Sequence, residues 1–148
     1  MNREVAFRGK RCSDGKWVYG FYVESKYSWQ GHKPHKSWIV PNAISNGGFF
    51  NVLGRYAVKD DTVGQFVGMT DKRGVKVFEG DIVDVYDFTS VYASKYRGVV
   101  KMYRGSWCVE YEDSILDMVA HPRLFFDDFA DRKTEVIGNI HDNFDLMK

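Results

Sequence analysis

The sequence predicts a mainly β protein: a small antiparallel barrel or roll with an N-terminal β-hairpin and one short helix. Of its 148 residues, 48 are Val, Ile, Phe, Tyr or Trp, which suit a pleated sheet, and only ten are Ala or Leu. Apolar and polar residues alternate through about nine short segments, and turns that contain Asp and Gly separate several of them. A helical bundle or a coiled coil is therefore excluded.

The first predicted element is a hairpin that turns at residues 13–16. Val5 and Phe7 alternate with other residues as in a half-buried strand. Asp14 can bond its own backbone and Gly15 accepts a positive φ, so a tight turn follows. The returning strand then places four apolar side chains on one face: Trp17, Tyr19, Phe21 and Val23.

Residues 24–61 depart from the regular alternation. Gly, Pro and Asn break this segment into short pieces, among which residues 38–40 have the composition of a strand. We therefore expect one domain over residues 1–148, in which the hairpin and an excursion from the sheet occupy residues 1–61. The barrel core is expected over residues 62–148.

The barrel core is predicted from the same alternation, with one change of period. Residues 113–119 have the spacing of a short helix that ends before Pro122. Residues 104–106 should form the turn of a second hairpin. Strands are predicted over residues 62–69, 75–78, 82–86, 98–103, 107–111 and 135–140.

The segment Glu79-Gly80-Asp81 supports two interpretations. Its two carboxylates share parity along the chain, so they could converge as a metal-binding or acid–base pair. Alternatively, Gly80 has a positive φ, and Asp81 accepts backbone N–H groups where a strand begins. Because no histidine or third carboxylate outside the following strand stands nearby, the structural interpretation is favoured.

Six short segments resemble, in the same order, the YopX family of phage and prophage proteins. They are FRG at 7–9, GKWVYG at 15–20, TVGQFVG at 62–68, DKRG at 71–74, VFEGDIV at 77–83 and EVIGNI at 135–140. Phe66 stands where the family usually has Tyr, and Met69 stands where it usually has Leu. Residues 24–61 and 87–96 match no pattern of the family.

The resemblance implies a β-rich fold with an SH3-like barrel in the C-terminal half, and an origin in a phage or prophage genome. It implies no established activity, so it assigns no catalytic residue. Within the matching segments we expect structural roles for Gly64, Gly68, Gly74, Gly80, Asp81 and Gly138.

No segment carries a recognisable catalytic or metal-binding pattern. His32 and His35 could offer two nitrogens, but zinc needs three or four ligands and neither cysteine lies at ligand spacing. Cys12 precedes a turn and Cys108 lies in an apolar strand, and no neighbouring histidine marks either thiol as activated. We therefore predict no catalytic residue, no metal and no cofactor.

One basic stretch indicates binding. No carboxylate occurs between Asp87 and Glu110, and cations are interleaved there with tyrosines. Cations beside stackable rings are typical of surfaces that bind single-stranded nucleic acid. The candidate contacts are Lys95, Tyr96, Arg97, Lys101 and Arg104, and a second stretch of this kind spans residues 26–38.

These stretches have two other interpretations. The favoured one is that the rings belong to the core and the cations are merely solvated. The basic stretch of one subunit could instead meet the acidic stretch that begins at Glu110 of another. Since 24 aromatic residues and an irregular excursion should leave apolar surface exposed, we expect a homo-oligomer. Its candidate contacts are Trp29, Trp38, Phe49 and Phe50.

Charge and cysteine content predict a soluble, cytosolic protein, and the resemblance to phage and prophage proteins implies that the cytoplasm is that of a bacterial host. The net charge is +1, only two cysteines occur, and no segment approaches the roughly 18 apolar residues of a membrane span. Three functions remain possible. The leading hypothesis is a non-enzymatic accessory protein that acts by self-association and binding. The second is a module that binds single-stranded nucleic acid, and the third is an enzyme whose site is assembled between subunits.

Overall fold

A computed structural model of the chain describes residues 4–24, 37–41, 55–87, 94–111 and 134–148. These residues form nine β-strands and two short 3-10 helices. The strands are β1 (Phe7–Lys10), β2 (Trp17–Glu24), β3 (Ser37–Val40), β4 (Gly64–Thr70), β5 (Lys76–Phe78), β6 (Asp81–Asp87), β7 (Ser94–Tyr103), β8 (Ser106–Tyr111) and β9 (Thr134–Asn139). The 3-10 helices span Asp60–Thr62 and Phe144–Met147.

The strands belong to two antiparallel sheets, which confirms the prediction of a mainly β protein. One sheet has the order β3-β2-β1-β4-β5, and the other has the order β8-β7-β6-β9. The chain divides into two compact units, Met1–Phe66 and Val67–Lys148, and the single domain over residues 1–148 stays a prediction. Closure of the strands into an SH3-like barrel stays a prediction.

In the first unit, β1 pairs antiparallel with β2, and β2 pairs antiparallel with β3. The turn between β1 and β2 uses the expected chemistry: Gly15 has a φ of +69°, and Asp14 accepts the backbone N–H of Lys16 at 3.1 Å. The core of this unit is formed by Val18, Ile39 and Val58, with Phe7, Tyr22, Tyr56 and Val63 packed against it.

The two faces of β2 have opposite environments. Val18 and Gly20 are buried on the core side, whereas Tyr19 and Phe21 on the other side are 53% and 54% exposed. Gly20 is required where the neighbouring strand approaches, because a Cβ there would lie 2.0 Å from the carbonyl oxygen of Val40. The apolar face predicted from the alternation is therefore real, but its aromatic side chains lie on the outer side of the strand.

The second unit has a core of aliphatic residues and one tryptophan. Its buried members are Val67, Val77, Val83, Val85, Val100, Trp107 and Val109. The predicted hairpin is confirmed, since β7 and β8 pair antiparallel around Arg104 and Gly105, whose φ values are +47° and +82°. Positive φ at both central residues matches the twist of the flanking strands. Strand β7 begins at Ser94, four residues before the predicted start of this strand at residue 98.

Asp71 fastens the turn after β4 to the start of β9. Its side chain is fully buried and accepts backbone N–H groups from Arg73 at 2.8 Å, Val75 at 2.9 Å and Val136 at 3.1 Å. Burial acts to raise the pKa of Asp71, but the hydrogen bonds from these three amides outweigh burial and lower it below its ordinary value. The sequence predicted the turn but not the bond to Val136, which lies 65 residues away.

The segment Glu79-Gly80-Asp81 forms a turn that leads into β6. Gly80 has a φ of +80°, its N–H donates to the carbonyl of Val100 at 2.9 Å, and its carbonyl accepts the N–H of Ile140 at 3.0 Å. Asp81 is 1% exposed and accepts the N–H of Phe78 at 2.8 Å. Because the Asp81 carboxylate accepts this backbone amide inside the protein, the motif shapes the start of β6.

The remaining motif glycines have different surroundings: Gly64 and Gly68 lie in β4, Gly74 lies in the turn after β4, and Gly138 lies in β9. Gly68 and Gly74 have positive φ, Gly64 pairs with Arg8, and a Cβ at Gly138 would lie 2.7 Å from Asn143 Oδ1. Several other predictions lie outside the described residues: the helix over 113–119 and the positions of His32 and His35.

Candidate functional site

Two of the predicted nucleic-acid contacts, Lys95 and Arg97, converge on one carboxylate. The Lys95 Nζ lies 2.6 Å from Asp84 Oδ2, and the Arg97 Nε lies 2.8 Å from Asp84 Oδ1. Asp84 is 3% exposed and stands opposite Arg97 in the β6–β7 register. Arg97 also donates to the backbone carbonyl of Leu146 at 3.2 Å. A phosphate at this position would have to compete with Asp84 for both cations.

The contacts between Asp84 and its two cations shift the pKa values of Asp84 and Arg97 in opposite directions. Burial acts to raise the pKa of Asp84, but hydrogen bonds from Arg97 and then Lys95 lower it below its ordinary value. The hydrogen bond to Asp84 in turn raises the pKa of Arg97. Asp84 is therefore ionised at neutral pH, where it pairs with Arg97 and Lys95.

The structure divides the other predicted contacts between two faces of the sheet. Lys101 forms an ion pair with Glu110 on the neighbouring strand, and the Arg104 guanidinium lies 5.3 Å from the centre of the Tyr103 ring. Tyr96 alternates with Lys95 and Arg97, so it faces the opposite side of β7, where its ring lies 5.5 Å from that of Tyr111. The arrangement does not bring Tyr96 beside the cations that were expected to accompany it.

A second charged group extends the face that carries Asp84. The Lys72 Nζ lies 2.6 Å from Glu135 Oε2 and 4.5 Å from the centre of the Tyr86 ring. Hydrogen bonding to Glu135 raises the pKa of Lys72, and hydrogen bonding to Lys72 lowers the pKa of Glu135. Arg73 lies 3.3 Å from the same carboxylate. Cations and carboxylates thus alternate across this face.

Of the four predicted contacts between copies, one can be placed. Trp38 lies in β3 and is 8% exposed, so little of its ring is accessible to a second copy. Trp29, Phe49 and Phe50 lie outside the described residues.

Nothing in the described part of the chain has the form of a nucleophile or a metal centre. Cys12 is exposed and Cys108 is buried, and desolvation raises the pKa of both thiols. A raised pKa disfavours the reactive thiolate. Within the described ranges, no group of three or more His, Cys, Asp or Glu side chains could hold a metal ion.

An aromatic and basic surface lies instead on the outer side of β1 and β2. Arg8 stands opposite Tyr19 in the register, and Lys10 stands opposite Trp17, so these four side chains share one face with Phe21. We call this set the aromatic face: Arg8, Lys10, Trp17, Tyr19 and Phe21. Its strand positions in β1 and β2 contain no carboxylate.

Both cations of the aromatic face lie close enough to the Trp17 ring for cation–π contacts. The Arg8 guanidinium carbon lies 4.7 Å from the ring centre, and the Lys10 Nζ lies 5.6 Å from it. Such cation–π contacts contribute about 0.5–2 kcal/mol each, depending on desolvation. Arg8 is 7% exposed, so it positions the ring, whereas Lys10 is half-buried and retains access to solvent.

The aromatic face offers flat rings for stacking and a positive charge beside them. Tyr19 and Phe21 present more than half of their surface to solvent, and Lys16 is exposed at the end of the face next to Trp17. Sequence reasoning placed Trp17, Tyr19 and Phe21 on one side of a strand but did not recognise them as a binding surface. The sequence does contain a signal for the outward orientation of these rings. Val18 is small and Gly20 has no side chain, so the side of β2 that they share can pack closely against other elements.

Comparison with protein families identifies the chain. A family model described as "YopX protein" matches residues 6–148, which is nearly the whole sequence. The chain belongs to the YopX family. The resemblance seen in the ordered segments is thereby confirmed, and it covers both compact units of this YopX-family chain.

Comparison with individual proteins adds less. The YopX-family chain is similar to the crystal structure of protein EF1440 from Enterococcus faecalis, with 21% sequence identity and a TM-score of 0.49. That similarity covers 99% of this chain and 100% of the other. No curated protein matches the chain. The described helices include none that is long and apolar enough to cross a bilayer.

Proposed function

We propose that this YopX-family protein is a non-enzymatic accessory protein of a phage or prophage that acts by binding in the host cytoplasm. Its ligand is single-stranded nucleic acid, which the aromatic face holds by stacking and by charge. Membership of the YopX family supports the phage or prophage origin, and the residues of the aromatic face support the binding of nucleic acid.

The observation that carries the proposal is the exposure of Tyr19 and Phe21 on a strand face that also holds cations. Exposed rings of this size are unfavourable in water, and two of them at alternate positions form a continuous apolar strip. Bases stack on aromatic side chains with about 1–3 kcal/mol per base, while Lys and Arg neutralise the phosphates. Lys10, which is half-buried, and Lys16, which is exposed, are the lysines that lie beside Trp17 on this face and that could contact the phosphates.

The β7 residues are a weaker candidate for the same function. Lys95 and Arg97 share the buried Asp84, and Lys101 is paired with Glu110. Breaking either arrangement to bind a phosphate would leave a carboxylate without its cation. At Asp84 this is costly, because that carboxylate is buried.

Fluorescence polarisation of a labelled 15-nucleotide single strand, titrated at several salt concentrations, tests the proposal. Tyr19→Ala or Phe21→Ala should each weaken binding by roughly 1–3 kcal/mol. Lys10→Ala should lower the slope of log affinity against log salt by about 0.7. The matched control is Lys101→Ala/Arg104→Ala, which should keep the parent's slope.

Two outcomes would contradict the proposal. The first is no measurable binding by the parent protein at low salt. The second is a slope that falls by about 1.4 in the Lys101→Ala/Arg104→Ala control but not in Lys10→Ala, which would assign the ligand to the β7 residues.

Self-association is a second candidate function, and it is supported by the number of large apolar side chains on the surface. Val5 is 52% exposed, Met102 is 45% exposed and Tyr103 is 47% exposed. Light scattering during size-exclusion chromatography should therefore give a mass above 17.2 kDa at high micromolar concentration. A mass equal to that of one chain would refute self-association.

A further inference from the structure

We infer that the aromatic face selects strands whose bases are already unstacked, and so prefers oligothymidine to oligoadenosine and excludes duplex. This inference rests on the proposed function and names the class of strand that the face accepts. It follows from the spacing of the rings and from the position of the cations.

The two exposed rings are too far apart for bases that remain stacked on each other. Tyr19 and Phe21 are alternate residues of one strand, so they are separated by about 6.6 Å along it. Stacked bases of one DNA strand lie about 3.4 Å apart. Two neighbouring bases can each cover one ring only if the stack between them is broken.

The cost of breaking that stack differs among sequences. A run of adenines is strongly stacked in solution, whereas a run of thymines is flexible and weakly stacked, and preferences for pyrimidine runs arise in this way. One mean stacking step of duplex DNA, taken as the scale of this difference, corresponds to about tenfold in affinity. Oligothymidine should therefore bind about tenfold more tightly than oligoadenosine of equal length.

The cations at one end of the face define where the backbone lies. Lys10 stands opposite Trp17 in the register, and Lys16 precedes Trp17 in the turn. The Trp17 ring lies under the Arg8 guanidinium, so that face of the ring is already covered. Tyr19 and Phe21 are 53% and 54% exposed, so two consecutive bases can reach their rings, with the phosphates beside them extending toward Lys10 and Lys16. In a duplex the base faces are buried, so the rings could not reach them.

Competition with unlabelled strands tests the inference. Labelled oligothymidine of 15 nucleotides is displaced by unlabelled oligothymidine, by oligoadenosine, by a 15-base-pair duplex and by an abasic strand of equal length. The parent should discriminate about tenfold between the first two and bind the duplex and the abasic strand far more weakly. The double variant Tyr19→Leu/Phe21→Leu keeps the apolar surface but removes the rings, so its preference for thymine should disappear.

The outcomes separate this inference from the proposed function. Equal or tighter binding of oligoadenosine by the parent overturns the inference and leaves nucleic-acid binding standing. Failure of every strand to bind overturns both. A parent that binds no strand and scatters light as a dimer, with a monomeric Tyr19→Leu/Phe21→Leu variant, would assign the aromatic face to a second copy of the chain. Circular dichroism of the variant must match the parent, which is expected because both replaced side chains are more than half exposed.

Discussion

Replacing Asp71 with asparagine should destabilise the second unit even though it changes one atom of the side chain. Asp71 Oδ1 accepts the N–H groups of Arg73 and Val75, and Oδ2 accepts the N–H of Val136. An asparagine that keeps its carbonyl oxygen at the Oδ1 position must present an NH₂ group to the Val136 N–H. Two donors then face each other in a buried site.

The size of the effect follows from the number of amides left without an acceptor. One buried N–H that loses its partner costs about 1–3 kcal/mol, so Asp71→Asn should lose about that much. Asp71→Ala leaves all three amides without their acceptor and should cost at least twice as much. For a chain of this length, each kcal/mol corresponds to roughly 2–4 °C in the melting temperature.

The pH dependence provides an independent check of the mechanism. The pKa of Asp71 is lowered in the folded state, so its contribution is fully present above its unfolded pKa of about 3.9 and is lost as pH falls through the lower folded value. The stability difference between parent and Asp71→Asn should be constant above about pH 5 and should shrink below about pH 4. Asp84 also has a lowered pKa, but it is present in both proteins and cancels in the difference.

Urea denaturation followed by circular dichroism at pH 7 and at several acidic pH values measures these differences. The control is Asp145→Asn, which removes the same charge from a side chain that is 91% exposed and should leave the denaturation midpoint unchanged. Equal midpoints for Asp71→Asn and the parent at pH 7 would refute the reasoning. So would a difference that stays constant down to pH 3.

Two further predictions concern glycines of the second unit, measured in the same denaturation assay. Gly80→Ala should lower the free energy of unfolding by about 1–2 kcal/mol because φ at this residue is +80°. A Cβ there would meet the Ile140 side chain at an ordinary 3.5 Å. Backbone strain should therefore also account for most of the stability lost in Gly80→Val. A Gly80→Val protein with the same denaturation midpoint as the parent would refute this explanation. Gly138→Ala should be destabilising because its Cβ would lie 2.7 Å from Asn143 Oδ1, and it should cost less in an Asn143→Gly background. Equal costs in the two backgrounds would show that Asn143 is not the obstacle.

Much of the strand pattern could be predicted because its causes are local. Strands β5, β6, β8 and β9 lie within one or two residues of their predicted positions, since alternation of apolar side chains and Asp-Gly turns are properties of neighbouring residues. The start of β7 could not be predicted in this way. Ser94 pairs with Asp87, and Lys95 pairs with Tyr86, so the strand is extended by its partner rather than by its own pattern.

The candidate site was harder to predict because binding surfaces depend on distant residues. A basic stretch without carboxylates of its own offered a candidate ligand surface, but Asp84 supplies a negative charge from 13 positions away. The hydrophobic strip of β2 was recognised as a strip, yet its side of the sheet was not assigned. The partner of the basic stretch and the exposed side of β2 both depend on which strands pair with each other.

The sequence by itself determined the fold class, most strands, the family and the backbone conformation at residues such as Gly15 and Gly80. These features depend on side-chain shape and on φ preferences, which act within a few residues. Only the tertiary structure decided that Tyr19 and Phe21 face outward and that Lys95 and Arg97 are paired. The physical reason is that β3 approaches β2 at Gly20 and so selects the buried side, while the β6–β7 register brings Asp84 opposite Arg97.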